Sequence, residues 1–313
     1  MVMKIVGIIF SPVIALIAGI LMLGMTRKVM ARIQWRYGPP LLQPVIDIIK
    51  LFYQKSPSHG VTFGAGVIIS IAGAIVVFLF LPIGGLAPLS EGGGCLLIMY
   101  LMLVAPLGVA LSGGEGANPY VSIGISRKLI LGFAYEVTLI LTFLAVMTQY
   151  GTISIVKVVE MQQTGRWSLF SWPLVIPGIA YLLILPAILG MRPFDVVSAP
   201  QEISSGPNAE YGGKYLGLMT LESGLSEFIG IALFVNLFLG GPNLWGAISS
   251  LQNSGLVVFL GVIVFLVKVF LVYFINILVQ AVLPRVRVEQ AVKYLWTWPA
   301  FIALVGLIIV WAG

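Results

Sequence analysis

Eight stretches of this chain are each apolar for about 20 residues, the length that crosses the hydrocarbon core of a bilayer. They run approximately over 5–25, 61–83, 95–112, 127–149, 171–190, 215–239, 255–281 and 292–312. Backbone polar groups in hydrocarbon must be satisfied internally, which leaves helices or a closed barrel. These runs are continuous rather than alternating ten-residue segments, so they predict helices and not a β-barrel. Composition agrees: of 313 residues, 59% are hydrophobic and 9% charged, against about a quarter charged in soluble domains. The first stretch is too long for a signal-peptide core and shows no cleavage site, so it is expected to be a true span. The fold class predicted is an all-α membrane protein of about eight transmembrane helices, forming a single polytopic domain over 1–313.

The distribution of cations predicts orientation. Arg27, Lys28, Arg32, Arg36, Lys50 and Lys55 follow the first span, Arg127 and Lys128 open the fourth, and Arg192 and Lys214 follow the fifth. Arg285, Arg287 and Lys293 follow the seventh, whereas the other side has Lys4, Lys157 and Arg166. The positive-inside rule then puts the odd-numbered connections in the cytoplasm and both termini outside, in a multi-pass protein of the cell membrane. This bias accounts for the net charge of +6 without a nucleic-acid partner. Cys95 and His59 are each alone, so no disulfide framework, iron–sulfur ligand set, or zinc or haem site built by this chain is expected.

Two cytoplasmic connections are patterned. Residues 26–60 contain Leu41 to Phe52, which reads as an amphipathic helix with Pro44 in its first turn, apolar positions at 45, 48, 49 and 52, and Asp47 and Lys50 on the polar side. Such a helix is expected to lie in the membrane interface. The acidic loop at 191–214 concentrates Arg192, Asp195, Glu202, Glu210 and Lys214 among Pro193, Phe194, Ile203 and Tyr211. A connection that long is uncommon unless functional or disordered, and its apolar residues predict an ordered segment.

Within the spans stand Glu136, Glu222, Glu227 and Lys268. Each costs a few kcal/mol near the bilayer centre, roughly 2.5–3.5 for a central Lys or Asp. One reading makes them a polar, hydrated axis for protons or charge displacements, extended by Tyr135, Ser226, Asn236, Tyr273 and Asn276. The other pairs Glu227 with Lys268 and bonds Glu136 to Tyr135 or a neighbouring helix. Several such groups in a chain this poor in charge favour the first.

The motifs Arg32-Ile33-Gln34-Trp35-Arg36-Tyr37-Gly38-Pro39-Pro40, Gln43-Pro44 and Asp47-Ile48-Ile49-Lys50-Leu51 resemble the first cytoplasmic segment of complex I subunit 1, the H-type membrane subunit that docks the redox arm. Tyr135-Glu136-Val137, Arg192-Pro193-Phe194-Asp195, Glu202, Gly206, Glu210-Tyr211, Lys268-Val269-Phe270 and Leu283-Pro284-Arg285-Val286-Arg287, with Gln290 and Trp296, continue the resemblance in order over nearly the whole chain. It implies eight spans, a seam with the redox arm along the first connection and the fifth-to-sixth loop, and coupling carboxylates at Glu136, Asp195, Glu202 and Glu210. Glu222 matches with its spacing displaced by a residue. The coupling path expected is therefore Glu136, Asp195, Glu202, Glu210, Glu222, Glu227 and Lys268. The redox-arm interface expected is Arg32, Arg36, Asp47, Lys50, Arg192, Arg285 and Arg287.

Two departures refine this. Gly38-Pro39-Pro40 runs straight into Leu41-Leu42-Gln43-Pro44, without the longer insert usual in quinone-reducing complexes. The short form is similar to the membrane subunit of energy-converting nickel–iron hydrogenases and their archaeal sulfur-reducing relatives. Ser198 and Pro200 stand where the family tends to place glutamates, so the acidic loop is thinned. The expected function is that of a non-catalytic membrane subunit without its own redox centre, coupling a peripheral arm to proton or sodium translocation. Its expected partners are a hydrogenase-like large subunit, small iron–sulfur subunits and antiporter-like membrane subunits, with the nickel–iron centre and iron–sulfur clusters held by those partners. A quinone- or methanophenazine-reducing relative, a stand-alone solute or ion transporter and a purely structural anchor are the alternatives.

Overall fold

The computed structural model describes residues 2–56, 60–86, 88–89, 94–116, 118–164, 167–243 and 254–312. His59 and Arg166 lie outside them. The described residues form eleven α-helices and two short 3-10 turns: α1 Val2–Ile33, α2 Gln43–Tyr53, α3 Val61–Phe80, α4 Cys95–Gly114, α5 Pro119–Tyr150, α6 Ile155–Thr164, α7 Val175–Ile188, α8 Pro200–Ile203, α9 Gly213–Phe238, α10 Ser254–Val282 and α11 Val288–Ala312. Seven of them (α1, α3, α4, α5, α9, α10 and α11) are long and apolar enough to cross a membrane.

The eighth expected span is α7, and it is shorter than the apolar run that predicted it. Its 14 residues cover about 21 Å at 1.5 Å per residue, less than the roughly 30 Å hydrocarbon core. The apolar run began at 171, but Ser168–Phe170 is a 3-10 turn and the chain turns again before Val175. Hydropathy counts apolar residues whether or not they are helical. Pro177, Gly178, Ala180, Tyr181 and Ile184 to Ala187 are buried among neighbours, so much of the apolarity of α7 serves protein packing.

α9 is the axis of the bundle, in contact with α1, α2, α3, α6, α7 and α10. Its second half, from Phe228 to Phe238, is buried throughout. Close approach is bought by small residues, as expected where lipid offers no hydrophobic drive between helices. A Cβ on Gly19 of α1 would meet the Gly224 carbonyl of α9 at 2.6 Å, and one on Gly66 of α3 would meet the Gly108 carbonyl of α4 at 2.7 Å. At one end of the bundle α2, the 191–212 loop and the ends of α5, α9 and α10 gather. There the Val286 amide donates to the Pro193 carbonyl at 3.1 Å. That end is called the loop end below.

α2 is the helix expected there, with Pro44 in its first turn. Pro44 and Ile48 are buried, while Ile49 and Phe52, expected on the apolar side, are about half exposed. α9 packs beside the last turn of α2, where a Cβ on Gly217 would meet the Phe52 ring at 3.4 Å and Leu51 Cβ at 3.5 Å.

Candidate coupling path

A cavity of about 280 Å³ opens between α3, α4, α5, α7, α9 and the start of the 191–212 loop. Its polar lining is Lys128 and Tyr135 from α5, Asp195 and Ser198 from the loop, and Glu222, Ser223, Ser226 and Glu227 from α9. A second cavity of about 180 Å³ abuts it, sharing Lys128, Val197, Ser198, Glu222 and Ser223, and reaches Ser205, Asn208 and Tyr211 in the loop. Together they lead from the loop end to the middle of α9. The carboxylates and hydroxyls along these cavities are the partners that a buried water needs, and hydration is one way a carboxylate persists at membrane depth.

Each side chain is placed by local structure. On α9, Glu222, Ser223, Ser226 and Glu227 recur at helical spacing and so share one face. Ser226 Oγ donates to Glu222 Oε1 at 2.8 Å. Lys128 was counted in the sequence only for orientation. Because α5 begins at Pro119 rather than near 127, Lys128 stands about 13 Å into the helix and faces the cavity. Taking Arg127 and Lys128 as the opening of the span conceals this.

Asp195 stands between the interior and the surface. It lines the interior cavity and also a groove of about 330 Å³ at the loop end, with Arg192, Pro200, Gln201, Leu283, Pro284 and Arg285. Arg285 Nη2 donates to Asp195 Oδ2 at 2.6 Å, both side chains being about four-fifths buried. The Ser198 hydroxyl donates to the other oxygen. Ser198 is thus a neutral donor to Asp195.

At the inner end Tyr273 of α10 donates its hydroxyl to Glu227 Oε2 at 2.7 Å, and the Tyr273 hydroxyl oxygen lies 2.5 Å from Thr26 Oγ1 of α1. Thr26 Oγ1 also lies 3.2 Å from the Met22 carbonyl. The chain of hydroxyls can reverse. With Glu227 ionised, Thr26 donates to Tyr273 and Tyr273 to the carboxylate. With Glu227 protonated, the acid donates to Tyr273, Tyr273 to Thr26, and Thr26 to Met22. The next residue, Arg27, binds Asp47 of α2 at 2.6 Å. The Gln43 amide and the Arg27 guanidinium beside it hold the Asp47 carboxyl below the usual carboxylate range.

Other expected path residues are not brought here. Lys268 is not paired with Glu227. Its Nζ donates to the carbonyls of Leu239, Gly241 and Asn243 at 2.7, 3.0 and 2.6 Å and sits 4.3 Å from the centre of the Trp167 ring. It caps the far end of α9, where carbonyls lack helical partners and the helix dipole favours a cation. Glu136 is absent from the cavity lining although its neighbour Tyr135 belongs to it, and no residue of the described chain hydrogen-bonds its carboxylate. Glu202 pairs with Arg127 at 2.7 Å. Glu210 accepts from Asn118 at 3.4 Å, outside both cavities.

Of the residues expected at the redox-arm interface, Arg32, Arg36, Lys50, Arg192 and Arg287 are exposed at the loop end, while Asp47 and Arg285 are held in the ion pairs described. Trp35 and Tyr37 beside them are 99% and 83% exposed. Among the described residues no group of three His, Cys, Asp or Glu side chains is arranged to hold a metal ion.

A family model described as NADH dehydrogenase matches residues 4–311. The chain belongs to the NADH dehydrogenase family. Within it, this is the complex I subunit 1 family to which the motifs pointed. Among solved structures of similar fold is that of the membrane-bound sulfane sulfur reductase, described as an archaeal respiratory membrane complex. One of its chains is 35% identical, with a TM-score of 0.90 over 98% of this chain and 99% of that one. This NADH dehydrogenase family chain is therefore a complex I-like membrane subunit over its whole described length.

Proposed function

We propose that this chain docks a peripheral redox arm and couples its electron transfer to proton or sodium translocation, in a respiratory complex that reduces sulfane sulfur or is hydrogenase-related. The observation that carries this reading is the pair of abutting cavities that joins the 191–212 loop to Glu227. A stand-alone anchor has no need of a carboxylate-lined water path that ends at mid-membrane. The likeness to a chain of the sulfane sulfur reductase favours the sulfur-reducing form.

In this reading the loop end faces the cytoplasm and both termini lie outside, as the excess of Lys and Arg at that end supports. The redox arm sits on Arg32, Arg36, Lys50, Arg192 and Arg287, with exposed Trp35 and Tyr37 as apolar anchors, and α2 lies in the interface plane. The redox centres, nickel–iron or related and iron–sulfur, are held by a hydrogenase-like large subunit and small iron–sulfur subunits. Antiporter-like subunits in the cell membrane receive the coupling signal. A change of charge at the arm would act on Asp195 and Arg285, the pair that lines both groove and interior, and shift the protonation of Glu222 and Glu227 behind it. Charges act on one another more strongly inside the protein than across bulk water.

The test is purification of the native assembly in mild detergent after chemical crosslinking, with subunit identification and metal analysis. Iron–sulfur and antiporter-like subunits are expected to accompany the chain, and sulfur-dependent turnover without nickel would fix the sulfur-reducing form. Recovery of the chain without any partner would contradict the proposal.

A further inference from the structure

The two interior cavities contain a cation that no bonded partner balances. Lys128 of α5 is half-buried, lines both cavities and, among the described residues, makes no hydrogen bond or ion pair. A cation within a span needs compensation nearby. Three carboxylates face the same space. Asp195 is already neutralised by Arg285. Glu227 lines only the first cavity, whereas Glu222 lines both, as Lys128 does. The other titratable groups facing Glu222 are two phenols, Tyr135 of α5 and Tyr211 of the loop. The lining residues of α3, α4 and α7 include no titratable group, and α1, α2 and α10 line neither cavity.

With Asp195 and Arg285 cancelling, Lys128 brings one positive charge and Glu222 and Glu227 bring two negative ones. The cavities are therefore neutral only when a single proton sits on one of the two glutamates. Hydrogen bonding decides which. Ser226 donates to Glu222 at 2.8 Å and has no other partner among the described residues. If Ser226 accepted from a protonated Glu222 instead, its own hydroxyl proton would have no acceptor there. Tyr273 serves Glu227 in either state, because Thr26 can take the Tyr273 proton. We infer that Lys128 is the counter-charge of Glu222 across the cavities, a positioning residue that holds the negative charge on Glu222 and leaves the single mobile proton to Glu227. This deepens the proposed function, on which it rests, by naming the group that fixes how many protons the path carries. Charge acts strongly across such a poorly solvated space, so the loss of Lys128 leaves both glutamates protonated.

The experiment records infrared spectra of the intact purified complex in ordinary and heavy water, where the deuterium shift of the C=O stretch marks protonated carboxyls. Glu227→Gln is expected to remove one such band from the parent spectrum. Lys128→Met is expected to add a second, at least half as intense as the first, which is absent again in Lys128→Met/Glu222→Gln. Lys128→Arg, which keeps the charge, should restore the parent spectrum, as a role in packing alone would not require. Where Lys128→Met fails to assemble, Lys128→Gln makes the same comparison. No added band in the uncharged variant, or an added band that persists without Glu222, would overturn the inference. The bands report protonation whether or not ions are pumped. Equal pumping in Glu227→Gln beside the expected bands would instead overturn the coupling proposal alone.

Discussion

At the scale of single residues, the structure separates charges that look alike in sequence. Lys268 and Glu227 both lie within spans, but one closes a helix end and the other closes a cavity. Lys268→Met leaves three carbonyls without their donor. At about 1–3 kcal/mol for a buried group left unsatisfied, and with only three backbone acceptors affected, the expected result is a complex whose melting temperature falls by several degrees while its pumping stoichiometry is unchanged. A thermal-shift assay beside a pumping assay checks this. Lost stoichiometry with intact stability would return Lys268 to the coupling path. Tyr273→Phe acts in the opposite sense. It removes the hydroxyl between Glu227 and Thr26 but little volume, so pumping per turnover is expected to fall several-fold, beside the stability loss of about 1–3 kcal/mol that any buried group left unpaired carries. Tyr273 was legible as a polar residue in a span. Its link to Thr26 was not, because 247 positions separate the two and no periodicity connects them.

At the scale of elements, length and apolarity made seven spans and α2 readable. What they left unread is which face of each helix meets protein. The case of α7 shows why, since a buried helix and a membrane-crossing one are equally apolar. α2 shows it again, because four apolar positions on one stripe did not say that Ile48 is buried while Ile49 is half exposed. Small residues carry part of the missing information. Gly66→Leu is expected to force α3 and α4 apart, costing about 1–3 kcal/mol as overpacking does, and to be read as earlier loss of helical signal on heating. α2 also has a pH response. The Asp47 carboxyl is held below its ordinary range in the folded chain. Its contribution is therefore complete above the ordinary aspartate value and lost as pH falls through the lowered one. Hydrogen exchange at α2, taken relative to its intrinsic rate at each pH, should be flat from neutral down to mildly acidic pH and rise only in strong acid. In Arg27→Ala, which removes the guanidinium, the rise should begin at higher pH. Identical profiles would remove the Arg27–Asp47 tie from the account.

At the scale of the whole molecule, the chain brings a surface loop and a mid-membrane carboxylate to two adjoining cavities that share Lys128, Ser198, Glu222 and Ser223. Asp195 is the point where the surface groove and the interior meet. The sequence supplied the carboxylates and the family supplied their company. The path itself was not visible there, because it depends on Lys128 turning inward, on Glu136 turning outward and on Ser198 donating to Asp195. The account's central claim is that Glu227, at the inner end of this space, passes on the charge that electron transfer creates. Glu227→Gln keeps size and hydrogen bonding but cannot take up a proton, so it tests that claim directly. In vesicles holding the intact complex, ions translocated per electron are expected to fall at least tenfold, while turnover with an uncoupler stays within twofold of the parent. Equal stoichiometry in variant and parent would contradict the account.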